Sequence, residues 1–530
     1  MQESVWRDGV ASAGHPRLER DLDVDVAIVG GGITGLTTAL LLARAGKTVA
    51  VLEARRIGDG TTGGTSAHLT VALDQPLATL ASRFGEEGAR RAVESCRGAI
   101  DTIGGLCAGL GVDAEFQRVP AFRWAETPAH VPHLDDEARR YGEAGVLVHR
   151  QDGLPFSSLA VAALRFEEQA VFHPLRYLEG LAAAVVSSGA GHVFERTRVT
   201  RWDDGRPCRL RTSTGATVTA QEVVLATHSP IGLLVSLHTR LEPLTSYIIV
   251  ARVDDPPPLG LYFDTAEPYH YVRAVSPARP DLLVIGGADT KHGHEPDTAA
   301  CYTRLAEFAR TRFSVRAIER RWSAILFESV DGLPFIGRLP GAQHVWVSTG
   351  YSGTGLTYGT VGAQLLSDLI QGHDNGWAEL YSPSRVKPIA SARRFVAENA
   401  SNAYRWVADR LAPAPSDRGA GLPPGDGKLA RVGGKKLALY RDPTGKLHAM
   451  SPKCTHSGCI VQWNQDDRTW DCPCHGGRFD AEGKVISGPP MADLRRVALD
   501  EEEPAPGERE ERPAAAQPVQ PEPERRGEVG

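Results

Sequence analysis

The chain has little excess of charge of either sign: 59 Lys and Arg stand against 65 Asp and Glu, a formal balance of -6 in 530 residues. Such a balance does not recruit a polyanion, so nucleic acid is excluded as a partner. Long apolar runs are missing as well. The apolar stretches, such as those at 39–43 and 223–226, fall far short of the roughly 20 residues that cross a bilayer, which argues against a membrane protein. The first 24 residues hold no basic flank followed by an apolar stretch of the kind a secretory leader has, and a cytoplasmic protein is expected. Eight cysteines in so long a chain are not the disulfide framework of a small secreted domain, so their spacing carries the information.

What is present divides the chain. Its length allows three to four domain equivalents. Residues 413–427 (PAPSDRGAGLPPGDG) are rich in Pro and Gly without an apolar period and read as a linker. From residue 500 onward Pro and acidic side chains dominate, which predicts a disordered tail over 500–530. Near the other end, 25–29 and 48–53 read as short buried strands around a helical segment at 33–45, a β-α-β opening. An interrupted helical period runs through Leu77, Leu80, Phe84, Ala92, Ile100, Ile103 and Leu106, residues 134–144 read as helix, and 241–287 alternates apolar and aromatic residues as an antiparallel sheet does.

Residues 25–35 read DVAIVGGGITG and place Gly30, Gly32 and Gly35 in the G-x-G-x-x-G spacing between a strand and a helix. Alone this is a weak signal. Here Glu53 ends the second strand, 23 positions after Gly30, where a carboxylate can accept from a ribose hydroxyl. The fingerprint serves nicotinamide and flavin dinucleotides alike, and the chain has one copy. Further pieces decide between them: GTTGGTSAHLT at 60–70, FHPLRYLEGLA at 172–182, VVLATHSP at 223–230, DGLPFIGRLP at 331–340 and VSTGYSGTGLTYGTVGAQLL at 347–366.

In order and spacing these pieces resemble the D-amino acid oxidase and glycine oxidase superfamily of FAD enzymes, over about residues 22–410. The resemblance implies an α/β, Rossmann-like FAD-binding fold in segments 22–75, 150–230 and 325–410, with an antiparallel-sheet substrate domain from 76–149 and 231–324. It also implies that the loop with Thr61, Thr62 and Thr65 runs under the flavin. The segment with Gly353, Gly355 and Leu356 would sit by the pyrimidine end, its backbone donors and helix dipole facing negative charge. Some relatives tether FAD through Cys or His. The aligned positions here are Ala324 and, nearer than His68, Thr65, so a dissociable flavin is expected.

Residues 454–479 read CTHSGCIVQWNQDDRTWDCPCHGGRF. Cys454-x-His456 is followed, after fifteen residues, by Cys472-x-x-His475. Two thiolates and two imidazoles suit a Rieske 2Fe-2S centre or a tetrahedral zinc, although zinc fingers commonly draw Cys pairs and His pairs from separate motifs. The run resembles the Rieske proteins of cytochrome bc complexes. That resemblance implies a cluster held by Cys454, His456, Cys472 and His475, a disulfide between Cys459 and Cys474 bracing the two loops, and a small all-β domain over 428–499. Gly477 and Phe479 stand where the respiratory proteins carry Ser and Tyr; losing two hydroxyl donors implies a lower potential. Trp463, Trp470 and Phe479 read as packing, and Cys96, Cys107, Cys208 and Cys301 as buried small apolar residues.

Together the two sites resemble a branch of bacterial FAD-dependent oxidoreductases with a carboxyl-terminal Rieske domain, a match that includes GKVISGPPM at 483–491. The activity this implies is dehydrogenation of an amine or amino acid at a C–N bond, with electrons passing through the cluster to an external one-electron carrier, ferredoxin-like or quinone. An oxygen-using amine oxidase with an auxiliary cluster, and a redox-sensing or electron-transfer protein without a small substrate, stay open. Substrate contacts are expected on 267–273 (EPYHYVR): Arg273 pairing with a carboxylate, Tyr271 or His270 orienting an amine. Tyr247, Tyr351 and Arg338 follow as weaker candidates. The two modules are expected to dock, within one chain or across a dimer, by way of the linker.

Overall fold

The computed structural model describes residues 3–154, 156, 159–232, 235–385, 400, 405, 408–417, 419 and 421–499. The tail expected to be disordered, 500–530, lies outside them. Among the described residues no helix is long and apolar enough to cross a membrane.

The first sheet grows from strands with nearly continuous apolar sequence. Leu22–Val29 is buried over its last four residues and Val49–Leu52 throughout, as parallel strands covered on both faces must be. Its order is Phe335–Arg338, Val345–Thr349, Thr217–Leu225, Leu22–Val29, Val49–Leu52, Gly191–Phe194. All pairs along this path are parallel except the first, and the ribbon of Val199–Asp203 and Cys208–Thr212 hangs antiparallel on Thr217–Leu225. Helices Ile33–Arg44 and Gly355–Ile370 follow two of these strands and pack together. Their close approach depends on Gly359, where a Cβ would lie 2.8 Å from Ile33 Cγ2 and Thr34 Oγ1. Both helices thus begin at the carboxyl edge of the sheet, where open α/β sheets hold their ligands.

The second sheet runs Val315–Ser329, Leu241–Val253, Arg279–Lys291, His270–Ser276, Leu261–Asp264, Gln117–Ala125, Ala162–Val171, His68–Leu69, with Val148–Gln151 added to Ala162–Val171. It is antiparallel apart from the parallel pair of Leu261–Asp264 with Gln117–Ala125. Three segment boundaries differ from the sequence reading. Ala162–Val171, grouped there with the FAD-binding part, is a strand of the second sheet, paired with Gln117–Ala125 in a register that chain order does not reveal, and Val148–Gln151, which straddles the boundary drawn between 149 and 150, pairs with Ala162–Val171. Helix Leu77–Leu110, grouped there with the substrate domain, packs on Gly355–Ile370, with Gln364 donating to Thr102 Oγ1 at 2.8 Å. Val315–Ser329 runs unbroken through the boundary drawn at 325.

A three-stranded sheet (Gly427–Val432, Lys435–Arg441, Leu447–Met450) and a four-stranded one (Gln462–Asn464, Thr469–Asp471, Arg478–Asp480, Val485–Ser487) form the carboxyl-terminal module around Met450, Val461, Trp470, Phe479 and Leu494. The stretch read as a linker is largely bound to this module. The Arg431 N–H donates to the Pro415 carbonyl at 2.7 Å, Arg441 donates to the carbonyls of Leu422 (2.8 Å) and Gly419 (3.2 Å), and Leu422 is buried. Pro and Gly set the turns of this wrap, and Arg441 supplies the donors that a composition reading cannot see.

Candidate functional site

A cavity of about 800 Å³ opens between the carboxyl edge of the first sheet and one face of the second. Its floor is the glycine turn. Gly30 has φ +114°, and a Cβ there would lie 2.4 Å from the Ala226 carbonyl oxygen; a Cβ on Gly35 would lie 2.0 Å from that of Gly30. Only glycine lets the strand, the turn and the helix close this tightly. At the next strand end, the Glu53 carboxylate accepts from the Gly31 N–H (2.7 Å) and the Arg55 N–H (2.8 Å). Burial pushes its pKa up, and those two amides pull it back.

Gly30, Gly32, Glu53, Thr61, Thr62 and Thr65 all line this cavity, whereas Gly35 lies beneath it. Thr61 donates to the Ile325 carbonyl, and Thr62 Oγ1 accepts from the Ile33 N–H. Across the cavity Gly353, Thr354, Gly355 and Leu356 form the entry to helix Gly355–Ile370, whose N-cap Thr354 makes no side-chain capping bond. The Gly353 N–H, expected to face a flavin ring, instead donates to the Asp74 carboxylate. A backbone cradle that any Cβ would fill, a half-buried acid at a strand end and a helix N-terminus opposite them together fit an elongated dinucleotide.

The expected substrate residues separate. Tyr271 lines the cavity, its hydroxyl 3.0 Å from Ser246 Oγ. His270 does not: strand alternation turns it away, where its Nδ1 pairs with Asp264 at 2.8 Å and its ring stacks on Phe308 at 4.0 Å. Arg273 is 1% exposed. It lies on the face of Tyr271 but further along the strand, and donates to the carbonyls of Ala67, Phe172, Ala274 and Val275 with its guanidinium over the Trp6 ring. It is a structural arginine and cannot meet a carboxylate in the cavity. Among the weaker candidates, Tyr351 lines the cavity with its hydroxyl against Thr34 and Ser348, whereas Tyr247 packs on Tyr302 and Arg338 on Trp346, outside it. Ala324, Thr65 and His68 all line the cavity.

Two cavity residues escaped the sequence reading. Tyr269, two positions before Tyr271, presents its ring 5.9 Å from that of Tyr271; the period of two could have found it. Asp74, half-buried beside Gly353, has its pKa raised to about 6, chiefly by desolvation, and no local pattern marks it.

In the carboxyl-terminal module, Cys459 and Cys474 form a disulfide with Cα atoms 6.6 Å apart. Although the Sγ atoms of Cys459, Cys472 and Cys474 lie within 4.8 Å of one another, that bond withdraws two of the three from ligation. Cys454 and Cys472 share a thiol hydrogen bond. The rings of His456 and His475 are 5.0 Å apart, and both ring nitrogens of His456 are buried without a partner. Burial lowers the pKa of His456 to about 3 and of His475 to about 4, keeping both imidazoles in the neutral form that ligates metal. Two thiols and two neutral imidazoles on braced loops fit the mixed ligation of a Rieske cluster. A third imidazole went unforeseen: His238 packs 4.6 Å from His456 and 5.8 Å from His475, and donates from Nε2 to the Pro230 carbonyl.

The two sites meet within one chain. Ile486, Ser487, Gly488, Pro490 and Met491, from the module's last loop, line the same cavity as the glycine turn. Arg198 holds that loop by the Val485 carbonyl (2.6 Å), and the Gly232 N–H by that of Pro489 (3.3 Å). Gly476, next to His475, sits so close to Phe327 that a Cβ would lie 2.8 Å from its ring; Phe327 packs 5.0 Å from His228, and His228 lines the cavity. Elsewhere the contact is a buried polar seam. Arg478 meets Asp471 through two bonds of 2.8 Å and Ser323 at 3.1 Å, Thr298 donates to Asp466 at 2.6 Å, and Arg321 pairs with Asp466 at 3.0 Å.

Comparison with known proteins agrees with this division. Residues 25–369 match the family model described as FAD dependent oxidoreductase, and 415–498 that of the Rieske 2Fe-2S domain. The chain is 30% identical over 503 residues to the putative Rieske 2Fe-2S iron-sulfur protein YhfW of Bacillus subtilis, covering 94% of this chain and 98% of that one. It is 26% identical over 372 residues to gamma-glutamylputrescine oxidoreductase of Escherichia coli, covering 67% and 85%. The fold resembles glycine oxidase from Geobacillus kaustophilus (TM-score 0.59, 21% identity, 69% of this chain and 99% of that one) and L-proline dehydrogenase from P. horikoshii (TM-score 0.56, 17% identity, 69% and 98%). With the glycine turn and the Cys and His loops in one molecule, the chain belongs to the FAD-dependent oxidoreductase family and carries a carboxyl-terminal Rieske domain, with FAD and a 2Fe-2S cluster as its cofactors.

Proposed function

We propose that the protein is a dehydrogenase that oxidises the C–N bond of an amine or amino acid and passes the electrons through its own Rieske cluster to an external one-electron carrier, such as a ferredoxin-like protein or a quinone. FAD would lie along Gly30, Gly32, Glu53, Thr61 and Thr62 and the cluster on Cys454, His456, Cys472 and His475; bound there, they supply a two-electron acceptor and a one-electron carrier. The substrate's C–N bond becomes C=N with loss of two electrons and two protons, and water then splits the imine. Tyr269 and Tyr271 wall the reacting end, and the cavity's depth keeps water from the C–H bond that breaks.

The observation that carries this reading is the shared wall: the loop 486–491 of the Rieske module and the glycine turn of the FAD module line one cavity, with Gly476, Phe327 and His228 in continuous packing between them. A module fused only for joint production has no need of such a contact. Anaerobic stopped-flow reduction, by amine or by light, tests it. Flavin and cluster bands should change together at a rate independent of protein concentration. A cluster that stays oxidised beside fully reduced flavin, or that fills only by bimolecular exchange, overturns the electron path.

A further inference from the structure

The cavity has a pronounced sign. Away from the glycine turn its wall carries five acids, of which Asp136, Glu137 and Asp264 are paired with Arg140, Arg123 and His270, leaving Asp74 and Glu267. Glu267 is exposed at the rim, while Asp74 is half-buried beside Gly353. On the adjoining strand Asp289 reaches Ser246, another lining residue, and its Oδ1 is buried without a partner. Glu328 lies close enough to raise the pKa values of both Asp74 and Asp289.

The guanidinium groups among the described lining residues are committed elsewhere. Arg123 donates from Nη1 to both oxygens of Glu137 (2.5 and 2.6 Å) and from Nη2 to the Leu73 carbonyl (2.7 Å). Arg198 holds the Val485 carbonyl and Arg55 the Asp59 carbonyl. Arg273 is off the cavity altogether. Burial keeps the imidazoles of His68 and His228 neutral, their pKa values lowered to about 3 and about 4. A free amino acid brings a carboxylate that needs a cationic, preferably bidentate, partner. Here it would meet Asp74 instead, and like charges in a partly desolvated site repel. An ammonium group meets carboxylates and the faces of two tyrosine rings, which attract cations.

We propose that the substrate of this site is an amine bearing a second positive charge and no carboxylate, as a diamine or polyamine does, with Asp74 and the Tyr269 and Tyr271 rings receiving its charged groups and Asp289, behind Ser246, adding negative charge to that wall. This rests on the reading of the protein as an amine-oxidising enzyme. The carbon loses a hydride and the nitrogen a proton, so that C–H and N–H bonds give way to C=N; the hydride goes to FAD, and water converts the imine to an aldehyde and ammonia.

The test uses the full chain loaded with FAD and cluster, under anaerobic conditions, with 1,4-diaminobutane, spermidine, glycine and L-proline as probes. Equilibrium binding is read from the perturbation of the flavin spectrum, and oxidation from its bleaching. The diamine and spermidine should bind at least about tenfold more tightly than either amino acid, a difference of about 1.4 kcal/mol, and should bleach the flavin. Asp74→Asn should weaken that binding about tenfold, and the rim variant Glu267→Gln, which disturbs no buried contact, by less. If amino acids bleach the flavin and the diamines do not bind, the charge assignment is overturned while C–N oxidation stands. If the diamines bind and no probe of either class bleaches the flavin, the assignment stands and the reading as an amine-oxidising enzyme falls. If binding of the diamines is unchanged in both variants, or no diamine binds, the assignment falls.

Discussion

Along the seam between the modules Arg478 meets Asp471 through both arms of its fork, Asp467 at 3.3 Å and Ser323 at 3.1 Å, and is 3% exposed. On the cavity wall Asp74, and behind the lining Ser246 Asp289, are held among other carboxyls, their pKa values raised to about 6 and about 7, mainly by burial. The two regions use the same residue types to opposite ends. In the seam each buried charge has its opposite within hydrogen-bond distance, which fixes one arrangement and makes removal of either partner expensive. Asp74 and Asp289 have no cation within hydrogen-bond distance among the described residues, so a cationic guest relieves what folding left unresolved. The seam therefore reads as a permanent joint and the cavity as a place for exchange.

The largest effect that bears on this contrast is total. His456→Ser or His475→Ser removes an imidazole from the cluster loops, and the reduced protein should lose its Rieske electron paramagnetic resonance signal while keeping its flavin absorbance. A Rieske spectrum surviving in either variant would show that the ligands lie elsewhere. Next, Arg478→Ala leaves Asp471 and Asp467 buried without their cation and should cost about 3–5 kcal/mol. Calorimetry should show the carboxyl-terminal module melting earlier and separately, and Arg478→Met combined with Asp471→Asn should recover part of the loss. A single unchanged transition would mean that the seam is no joint.

Arg273→Met tests the boundary of the cavity from outside. Four carbonyls lose donors, for a cost of about 3 kcal/mol, and the amine KM should stay where it was, because Arg273 does not reach the cavity. A raised KM with unchanged melting would restore Arg273 to the substrate.

The smallest effect concerns pH. Asp74 and Asp289 have folded pKa values above the value of about 4 for an unfolded carboxyl. Between about pH 4 and 7 the folded protein therefore holds protons that the unfolded chain releases, and their contribution to stability falls as pH rises through that window. Asp289→Asn should melt with wild type at pH 4 and progressively above it up to pH 7. A gain that is the same at every pH would mean that the carboxyl is not perturbed.

Much of the fold was legible because its signals are local. The β-α-β opening needs only a buried strand, a glycine turn and a helix in sequence, and the cluster loops carry a Cys and a His each within four residues. The second sheet was legible as antiparallel, but its membership was not: Ala162–Val171 finds its partner in Gln117–Ala125 across an intervening helix and strand. Period two pointed to Tyr271 and also implied Tyr269, yet it placed Arg273 beside them on the same face. Alternation gives the face of a strand; where along that face the cavity ends is decided by what lies above it, here the Ala67 loop and Trp6.

By itself the sequence determined the two chemistries, since G-x-G-x-x-G with Glu53 and the paired Cys and His loops each close on themselves through short-range backbone geometry. Only the tertiary structure decided how those chemistries relate. That His238 packs against both His456 and His475, and that Ile486, Ser487, Gly488, Pro490 and Met491 line a cavity begun at residue 29, are products of residues hundreds of positions apart, and even the wrap of Pro415, Gly419 and Leu422 on the Rieske module needs its sheet to be folded first. Their contacts depend on how two sheets and a small β module pack, and packing is settled by the sum of many weak burials and a few well-matched buried charges, neither of which leaves a local mark in the chain.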